Sequence, residues 1–575
     1  MYLGWIDYGV LVILLGLSAI IGIYHGCIRS KQLSTKEFLI ADGQMKVLPT
    51  AMSFLASVLS AATLLGGPVE TYAYGTMYLY WIFAALIGTY FTVTLFIPMF
   101  HQIGNYSVYA YLEQRFSLTV RIVVTIIFIL NNTIYIAVIL YGPSLALSQV
   151  TGLDIWFAIG SCGIICTLYT SVGGMKAVIW TDVVQTIVMF LGLILSIIFG
   201  FIDVGGVKKV FEIAIDGNRI QLANMTFNLS IRYTVWSTLI GGGLYTTAAF
   251  SCLQTQAQRY MCVKSTRDAQ KVAWINIILM AIIYLFCGCI GCILYAKYNQ
   301  CDPLQAKLIS KPDQLYPLFV IETLGRFPGL TGLFIATILS ASLSTISSGI
   351  NSIVTVILED IYKRLVVEHS MSDKRQAIIS KILSVLIGLL IVMLAFLASY
   401  LNDNILVIIC QFVGSYIPPI LGIYLLGFFA PRVNSRNVLV ALLLCLIFQT
   451  WILIGANLTA KQHIGRNGRL PTSIEGCLSA VNITQPITTS QSSNNPLLPL
   501  YSISVMWYAF NGVFLTIIFS LLGTFIFGSN NSKMVDKSLL VLWKNVFCPW
   551  CWTNKKSTDE VCELEMQTTE QERML

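Results

Sequence analysis

The segment Leu59-Ser-Ala-Ala-Thr-Leu-Leu-Gly-Gly-Pro68 interrupts a stretch, residues 47–75, that is otherwise apolar enough to cross a bilayer. Proline removes a helical hydrogen bond and glycine weakens a helix, so this segment predicts a broken helix with free backbone carbonyls at membrane depth. A second glycine run, Gly241-Gly-Gly243, lies five hydrophobic segments later. Glycines can also simply let helices pack closely, but the matched placement favours two discontinuous helices, which are typical of transporters built from inverted repeats.

The whole chain has the composition of a membrane protein. Of its 575 residues, 56% are hydrophobic and only 11% are charged, about half the charged fraction of a soluble domain. We therefore predict an all-α polytopic membrane domain over residues 1–530, followed by a tail over residues 531–575. Apolar stretches of about 20 residues predict thirteen spans, at 8–27, 47–75, 80–100, 119–148, 154–171, 177–202, 232–255, 272–296, 328–358, 377–400, 404–429, 437–457 and 502–527.

Basic residues predict the orientation. Asp7 precedes the first hydrophobic stretch, and four basic residues follow it, Arg29, Lys31, Lys36 and Lys46. Because lysine and arginine concentrate in cytoplasmic loops, the amino terminus should lie outside and the tail in the cytoplasm, in the plasma membrane. Alternation then places a further basic cluster in a cytoplasmic loop, made of Arg259, Lys264, Arg267 and Lys271.

Glycosylation sequons test this orientation. Four of them lie in the predicted outside loops and are expected to carry glycans, at Asn224, Asn228, Asn457 and Asn482. Three others lie within the membrane or on the cytoplasmic side and are expected to stay bare, at Asn105, Asn131 and Asn530.

The chain has 15 cysteines, most of them within apolar segments, where cysteine behaves as a small hydrophobic residue. Cys301 and Cys477 are the two that fall in predicted outside loops. They could form a disulfide, but the sequence alone does not decide between a bonded pair and two free thiols.

The segment Tyr169-Thr-Ser-Val-Gly-Gly-Met-Lys-Ala177 resembles the signature of the sodium/solute symporter family, solute carrier family 5. Further matches occur in order along the chain, at Tyr109–Phe116, Gln256–Tyr260, Glu359–Lys363 and Pro431–Asn434. One departure is Arg436-Asn-Val438, where the family usually has a Lys-Gly-Ala-like turn. The resemblance implies the leucine-transporter fold, with about thirteen helices and five-helix inverted repeats at 47–203 and 232–430.

The segment Ser340–Val354 carries seven hydroxyl groups inside an otherwise apolar stretch. On spacing alone, these hydroxyls could bond to their own helix or permit close packing, or they could bind a hard cation such as sodium. The family resemblance implies a sodium site made of two carbonyls from the broken helix and a carbonyl and two hydroxyls from this segment, at Ala56, Leu59, Ala341, Ser344 and Thr345.

Asp182 is the one acidic residue deep enough in a predicted span to need a specific explanation. A carboxylate within the membrane is costly and commonly functional, although this one could also be reached by water from the end of its helix. Family members with two sodium sites resemble this chain at Ser57, Asp182 and Gln185, which implies a possible second sodium.

The solute is expected to be a small organic anion. No lysine or arginine falls in the middle of a predicted span, so helix N-termini, hydroxyls and amides would hold it. Sugar-carrying relatives have polar residues where this chain has Val58, Thr63 and Cys410, which argues against a sugar. Tyr141 either lines the same cavity or is an ordinary interhelical tyrosine.

The surrounding sequence most resembles the branch that carries monocarboxylates, vitamins such as biotin and pantothenate, and iodide. Thr63 resembles the monocarboxylate carriers, since iodide carriers have glutamine there. The expected activity is sodium-coupled import of a monocarboxylate or vitamin by alternating access. Iodide or another small solute is the alternative, and a channel or sensor with the same fold is a weaker one.

Other classes of function are disfavoured. The four histidines lie at span ends or in loops, which argues against an intramembrane metal or haem enzyme. We therefore expect sodium as the coupling ion and no organic cofactor. The expected partners are the lipid bilayer and a small anionic solute, without nucleic acid.

Overall fold

The computed structural model of the chain is built from helices. It describes residues 4–24, 35–366, 372–398, 400, 405–460, 468–477, 496–528 and 535–541, and none of these residues lies in a strand. The α-helices, in chain order, are α1 Trp5–Ile23, α2 Thr35–Ile40, α3 Val47–Val58, α4 Ala61–Tyr74, α5 Trp81–Phe91, α6 Ile97–Ile103, α7 Ala110–Arg115, α8 Leu118–Thr151, α9 Ile155–Val204, α10 Val207–Asp216, α11 Gly243–Cys252, α12 Gln254–Tyr260, α13 Thr266–Tyr298, α14 Leu315–Thr323, α15 Leu330–Val356, α16 Asp373–Ala398, α17 Ile405–Tyr416, α18 Pro418–Phe429, α19 Ser435–Ala460, α20 Leu498–Tyr501 and α21 Trp507–Phe527.

Helix occupies part of every predicted span. In the described ranges, nine helices are long and apolar enough to cross a membrane, and the bent pair α3–α4 makes a tenth. The remaining predicted spans coincide with α1, with the first part of α9 and with α11, which are shorter. A multi-pass, all-helical membrane protein is therefore confirmed, and the count of thirteen stays a prediction.

Helix α9 is kinked at Gly174. At 50 residues it would be about 75 Å long if straight, more than twice the thickness of a bilayer core. Gly174 has φ 59° and ψ −175°, a conformation that side-chain-bearing residues rarely adopt, so the helix direction changes there. This position separates the fifth and sixth predicted spans.

Two other helices are discontinuous near the centre of the molecule. Leu59, with φ −86° and ψ 105°, separates α3 from α4, which are bent by 64°. Leu253, with φ −81° and ψ 120°, separates α11 from α12. The first break lies at the amino end of the segment that predicted it, and Pro68 lies inside the continuous helix α4.

The predicted second break at Gly241–Gly243 is wrong by ten residues. The glycines belong to a π-helical segment, Ser237–Gly242, that continues directly into α11. A Cβ atom at Gly241 would overlap the carbonyl of Met506, so at this position glycine serves the close approach of two chain segments.

Helix α15 lies in the centre of the bundle and packs on α3, α8, α9 and α16. Its approach to α9 is close because Gly192 of α9 faces Thr337, where a Cβ would overlap the threonine hydroxyl. The π-helical segment Ile357–Val366 extends α15, and Thr92–Phe96 similarly joins α5 to α6. The hydroxyl-rich segment is therefore buried among neighbouring helices.

A short chain segment, residues 468–477, runs across one end of the bundle, and we name it the strap. A disulfide joins its last residue, Cys477, to Cys301 after α13. The amide of Leu470 donates to the carbonyl of Ala73 at the end of α4, over 2.8 Å. The strap is thus fixed at both ends, and we call this end of the molecule the disulfide face.

Candidate functional site

Four of the five predicted sodium ligands meet at the break between α3 and α4. Because Leu59 and Ser60 leave helical geometry, the carbonyl of Ala56 lies at a helix end. The Ser344 hydroxyl donates to this carbonyl over 2.7 Å, and the Thr345 hydroxyl lies 3.4 Å from it. The fifth predicted residue, Leu59, is buried at the break itself.

The same two hydroxyls also contact their own helix. Ser344 Oγ and Thr345 Oγ1 lie 3.1 and 3.0 Å from the carbonyl oxygen of Ala341. Two carbonyl and two hydroxyl oxygens are therefore gathered in one place, and all four are neutral. Uncharged oxygens suit a hard cation that binds reversibly. In the described part of the chain, no group of three or more His, Cys, Asp or Glu side chains could hold a metal.

Asp182 is paired with a residue whose role the sequence did not reveal. Ser53 Oγ donates to Asp182 Oδ2 over 2.5 Å, and Arg259 Nη2 donates to the same oxygen over 3.3 Å. Both charged side chains are fully buried. The expectation that Arg259 lies in a cytoplasmic loop is wrong, because α12 carries it into the core to neutralise the membrane-embedded carboxylate.

Arg259 uses every nitrogen of its guanidinium. Besides Asp182, Nε donates to Ser53 Oγ over 3.0 Å, and Nη1 donates to the carbonyl of Thr255 over 2.6 Å. Nη2 also donates to Ser348, one helical turn beyond the two α15 hydroxyls that are predicted to bind sodium. Two features of the sequence could have indicated this ion pair. One is the Gln256–Tyr260 motif, which includes Arg259, and the other is the position of Asp182 deep within a predicted span.

The second predicted sodium set is not brought together by hydrogen bonds. Ser57 Oγ lies 2.7 Å from both the carbonyl oxygen of Phe54 and Gln256 Oε1, so its one hydrogen is shared between two acceptors. Asp182 Oδ1 and Gln185 Oε1 are buried without a hydrogen-bond partner among the described residues. This second site stays a prediction, and filling it would require Asp182 to share its charge between the ion and Arg259.

A central cavity adjoins the break between α3 and α4. Three residues predicted to contact the solute line it together, namely Val58, Thr63 and Cys410. Aromatic side chains also line it, namely Tyr78, Trp81, Tyr135, Tyr233, Tyr245, Phe250 and Tyr284. Helix α4 begins next to this cavity, at Ser60 and Ala61, so its positive dipole end lies beside the space available to a solute.

Tyr141 lies apart from that lining. Its hydroxyl accepts a hydrogen bond from Lys311 Nζ over 2.7 Å, toward the disulfide face. The neighbouring Asp313 is buried and accepts the amide of Ile405 over 3.0 Å at the start of α17. Burial raises the pKa of Asp313 to about 7. Asp313 therefore fixes the amino-terminal end of α17, the helix that carries Cys410 at the central cavity.

A buried ionic cluster lies on the face opposite the strap. Arg121 of α8 pairs with Asp360 in the π-helical extension of α15, and also with Glu113. Ser107 and Thr125 donate to the second oxygen of Asp360 over 2.7 and 2.8 Å. Because every partner of Asp360 is supplied by another element, the cluster fixes the end of α15 to α7 and α8.

The family model described as the sodium:solute symporter family matches residues 38–445, a range that contains both helix breaks and α15. The chain belongs to the sodium:solute symporter family. It is therefore a transporter that couples solute movement to sodium. The family membership predicted from the signature residues is confirmed.

Individual relatives extend over nearly the whole symporter. Human sodium-coupled monocarboxylate transporter 1 is 36% identical over 548 residues, which is 93% of this chain and 89% of that protein. The human sodium/iodide cotransporter is 34% identical over 551 residues, covering 93% of this chain and 85% of that protein. The resemblance thus reaches well beyond the range of the family model.

A solved structure of a sodium-coupled sialic acid symporter, substrate-bound and outward-open, superposes on this chain with a TM-score of 0.72. The two chains are 23% identical, and the match covers 92% of this chain and 99% of the other. This similarity confirms the predicted leucine-transporter-like fold of the symporter.

Proposed function

We propose that the symporter imports a small organic anion, a monocarboxylate or a vitamin such as biotin or pantothenate, together with sodium. The observation that carries this proposal is the central cavity, where Val58, Thr63 and Cys410 meet beside the broken helix. These side chains offer few of the hydrogen bonds that a sugar requires. Tyrosine hydroxyls and the amino end of α4 offer donors to a carboxylate.

We propose that sodium binds at the carbonyls of Ala56, Leu59 and Ala341 and the hydroxyls of Ser344 and Thr345. The contacts of Ser344 and Thr345 with the Ala56 carbonyl support this set. The site joins α3 to α15, while the solute cavity lies around the next residues of the same break. An ion that fixes the break would favour solute binding, and linkage requires the solute to favour the ion equally.

We propose that residues 47–203 and 232–430 form two inverted repeats. The support is the matched placement of their discontinuous helices, broken at Leu59 and at Leu253. The breaks touch, because Gln256 Nε2 lies 3.4 Å from the carbonyl of Ser57 and accepts the Ser57 hydroxyl at its Oε1.

We propose that the disulfide face is extracellular, in the plasma membrane, and that the tail is cytoplasmic. Disulfides persist in oxidising compartments, which supports this placement of the strap. On the same face, Asn224 is half-buried and Asn228 is exposed, and each accepts hydrogen bonds from the hydroxyl residue of its own sequon. Asn457 instead donates to the carbonyl of Leu453 within α19, and Asn482 lies outside the described residues.

Glycan mapping tests this orientation. We expect glycans at Asn224 or Asn228, so that the double variant Asn224→Gln/Asn228→Gln runs at lower mass with unchanged transport. Peptide mass spectrometry after glycosidase treatment identifies the modified residues. A glycan at Asn105, on the face opposite the strap, would reverse the orientation.

Uptake measurements test the solute. Cells that produce the full chain are given labelled lactate, nicotinate, biotin, pantothenate or iodide, with sodium and then with choline in its place. We expect saturable, sodium-dependent uptake of at least one carboxylate. Uptake of iodide alone would favour the alternative carrier, flux without saturation would indicate a channel, and binding without flux would indicate a sensor.

A further inference from the structure

A second cavity lies between α4 and the strap, and we name it the arginine cavity. Its charged lining consists of Glu70, Arg232, Asp302 and Arg469. Tyr233 separates it from the central cavity, because this side chain lines the central cavity while its hydroxyl donates to Glu70 Oε2 over 2.9 Å. A solute that enters from the disulfide face would meet the arginine cavity before the central one.

The two arginines of this cavity have hydrogen-bond donors to spare. Arg232 donates from Nη1 to both oxygens of Glu70, each over 3.1 Å, and its guanidinium lies 4.6 Å from the ring centroid of Tyr74. Its Nε and Nη2 donate to no acceptor in the described ranges. Arg469 approaches Asp302 Oδ2 only to 3.8 Å, which is longer than a hydrogen bond. The Arg469 guanidinium therefore keeps all its donors free among the residues that the structure describes.

A nearby arginine shows the contrasting arrangement. Arg219 is fully buried and donates from Nε, Nη1 and Nη2 to the carbonyls of Tyr72, Gly217 and Pro471 over 2.7 to 2.8 Å. It thereby ties α4 to the strap and leaves no nitrogen for a ligand. Arg469 is carried by the same strap but is 23% exposed at the cavity. The strap thus accepts a hydrogen bond from Arg219, which has a structural role, and itself carries Arg469, which lines the cavity.

We propose that the arginine cavity is an outer binding site for the carboxylate of the transported anion, with Arg469 and Arg232 as its donors. The inference rests on the proposed function, since it requires an anionic solute. The four charges of the cavity sum to zero, so unused donors rather than excess positive charge would hold the anion. Arginine suits this role because its planar fork can bind a carboxylate through two parallel hydrogen bonds.

The outer site would lie next to the side chain that separates the two cavities. An anion held by Nε and Nη2 of Arg232 leaves the two contacts of Nη1 with Glu70 in place. Glu70 also accepts the hydroxyl of Tyr233, the side chain between the two cavities.

The test is the concentration dependence of carboxylate uptake in Arg469→Gln. We expect KM to rise about five- to tenfold, because the variant loses one charge-assisted interaction with the carboxylate. Maximal uptake should stay within twofold and the sodium dependence should not move, because the central cavity is intact. Arg469→Lys keeps the charge without the fork and should raise KM about two- to threefold. The matched control is Arg326→Gln, an arginine that is 73% exposed and lies 3.9 Å from Asp203, which should leave KM unchanged.

Surface labelling and a non-reducing peptide map of the Cys301–Cys477 link show whether each variant is correctly assembled. If Arg469→Gln is assembled and its KM stays within twofold of wild type, the outer site is overturned. If that variant fails to assemble, an unchanged KM in Arg469→Lys overturns the site equally. A wild type that takes up none of the carboxylates contradicts the proposed function instead, before any variant is considered.

Discussion

Two polar regions lie one helical turn apart on α15 and are built on opposite principles. At Ser344 and Thr345, neutral hydroxyl oxygens of α15 contact the carbonyl oxygen of Ala56 at the end of α3. At Ser348, the hydroxyl accepts from Arg259, which neutralises the fully buried Asp182. The same hydroxyl-rich face therefore serves a neutral pocket and a fixed charge pair.

The two regions differ in the energetic cost of separating their polar groups, which bears on where an ion could bind reversibly. When no cation is bound, Ser344 and Thr345 can donate to the carbonyls of Ala56 and Ala341, so neither hydroxyl is left unsatisfied. Separating Arg259 from Asp182 would leave an uncompensated charge in the core, which is far more costly. This contrast supports the neutral pocket as the proposed place of reversible binding, and it gives the charge pair the role of holding the surrounding helices.

The largest effect is expected for Arg259→Gln. This change leaves the Asp182 carboxylate buried without its cation, and breaking a buried pair in this way typically costs about 3–5 kcal/mol. We expect little protein at the cell surface and a clear fall in the melting temperature of the purified protein. The double variant Asp182→Asn/Arg259→Gln removes both charges and should recover part of the loss. Normal assembly of the single variant would mean that the pair is not structural.

An intermediate effect is expected for Thr345→Ala. Alanine favours the helix, so the variant should fold, but one proposed sodium ligand is lost. We expect the half-saturating sodium concentration to rise about three- to tenfold, which corresponds to the usual worth of one hydrogen-bond-like contact. Sodium-dependent uptake, normalised to surface protein, gives this value.

Two further variants control for the loss of a hydroxyl at Thr345. Thr345→Ser keeps the oxygen and should restore most of the sodium affinity. Ser347→Ala removes a hydroxyl that donates within α15 to the carbonyl of Ser344, and it should be nearly silent. An unchanged sodium dependence in Thr345→Ala would place the ion elsewhere.

The smallest effect is expected for Ser348→Ala. Arg259 loses one acceptor but keeps Asp182, Ser53 and the carbonyl of Thr255. We expect stability to fall by about 1 kcal/mol, with no change in half-saturating sodium. Thermal unfolding measures the stability, and sodium-dependent uptake measures the half-saturating sodium concentration. If sodium affinity falls here as much as in Thr345→Ala, the two regions form a single site and the contrast between them disappears.

Hydropathy and local sequence predicted much of the fold, but they located only one of the two central breaks. Two glycines and a proline follow the first break within α4, so the sequence pointed to the α3–α4 region, although these residues do not lie at the break itself. Leu253 and its neighbours include no residue that breaks helices. That break is maintained by tertiary contacts such as Gln256 with Ser57, which local propensity does not contain.

The candidate site was predictable to a similar degree. Helical spacing and family resemblance selected Ala341, Ser344 and Thr345, which the structure brings to the Ala56 carbonyl. Arg259 was missed because counting basic residues assigned it to a loop. The strap contacts join residues about 400 positions apart, such as Leu470 and Ala73, so no local pattern could reveal them.

The hydrogen bonds between Ser57 and Gln256 have a mechanical consequence. They tie together the two places where the central helices are interrupted, so these places cannot slide past each other while the bonds last. A joint of this kind acts as a fulcrum. In the proposed transport by alternating access, the arms on either side of it would swing in opposite directions, so that the path from one side of the membrane narrows as the path to the other side widens.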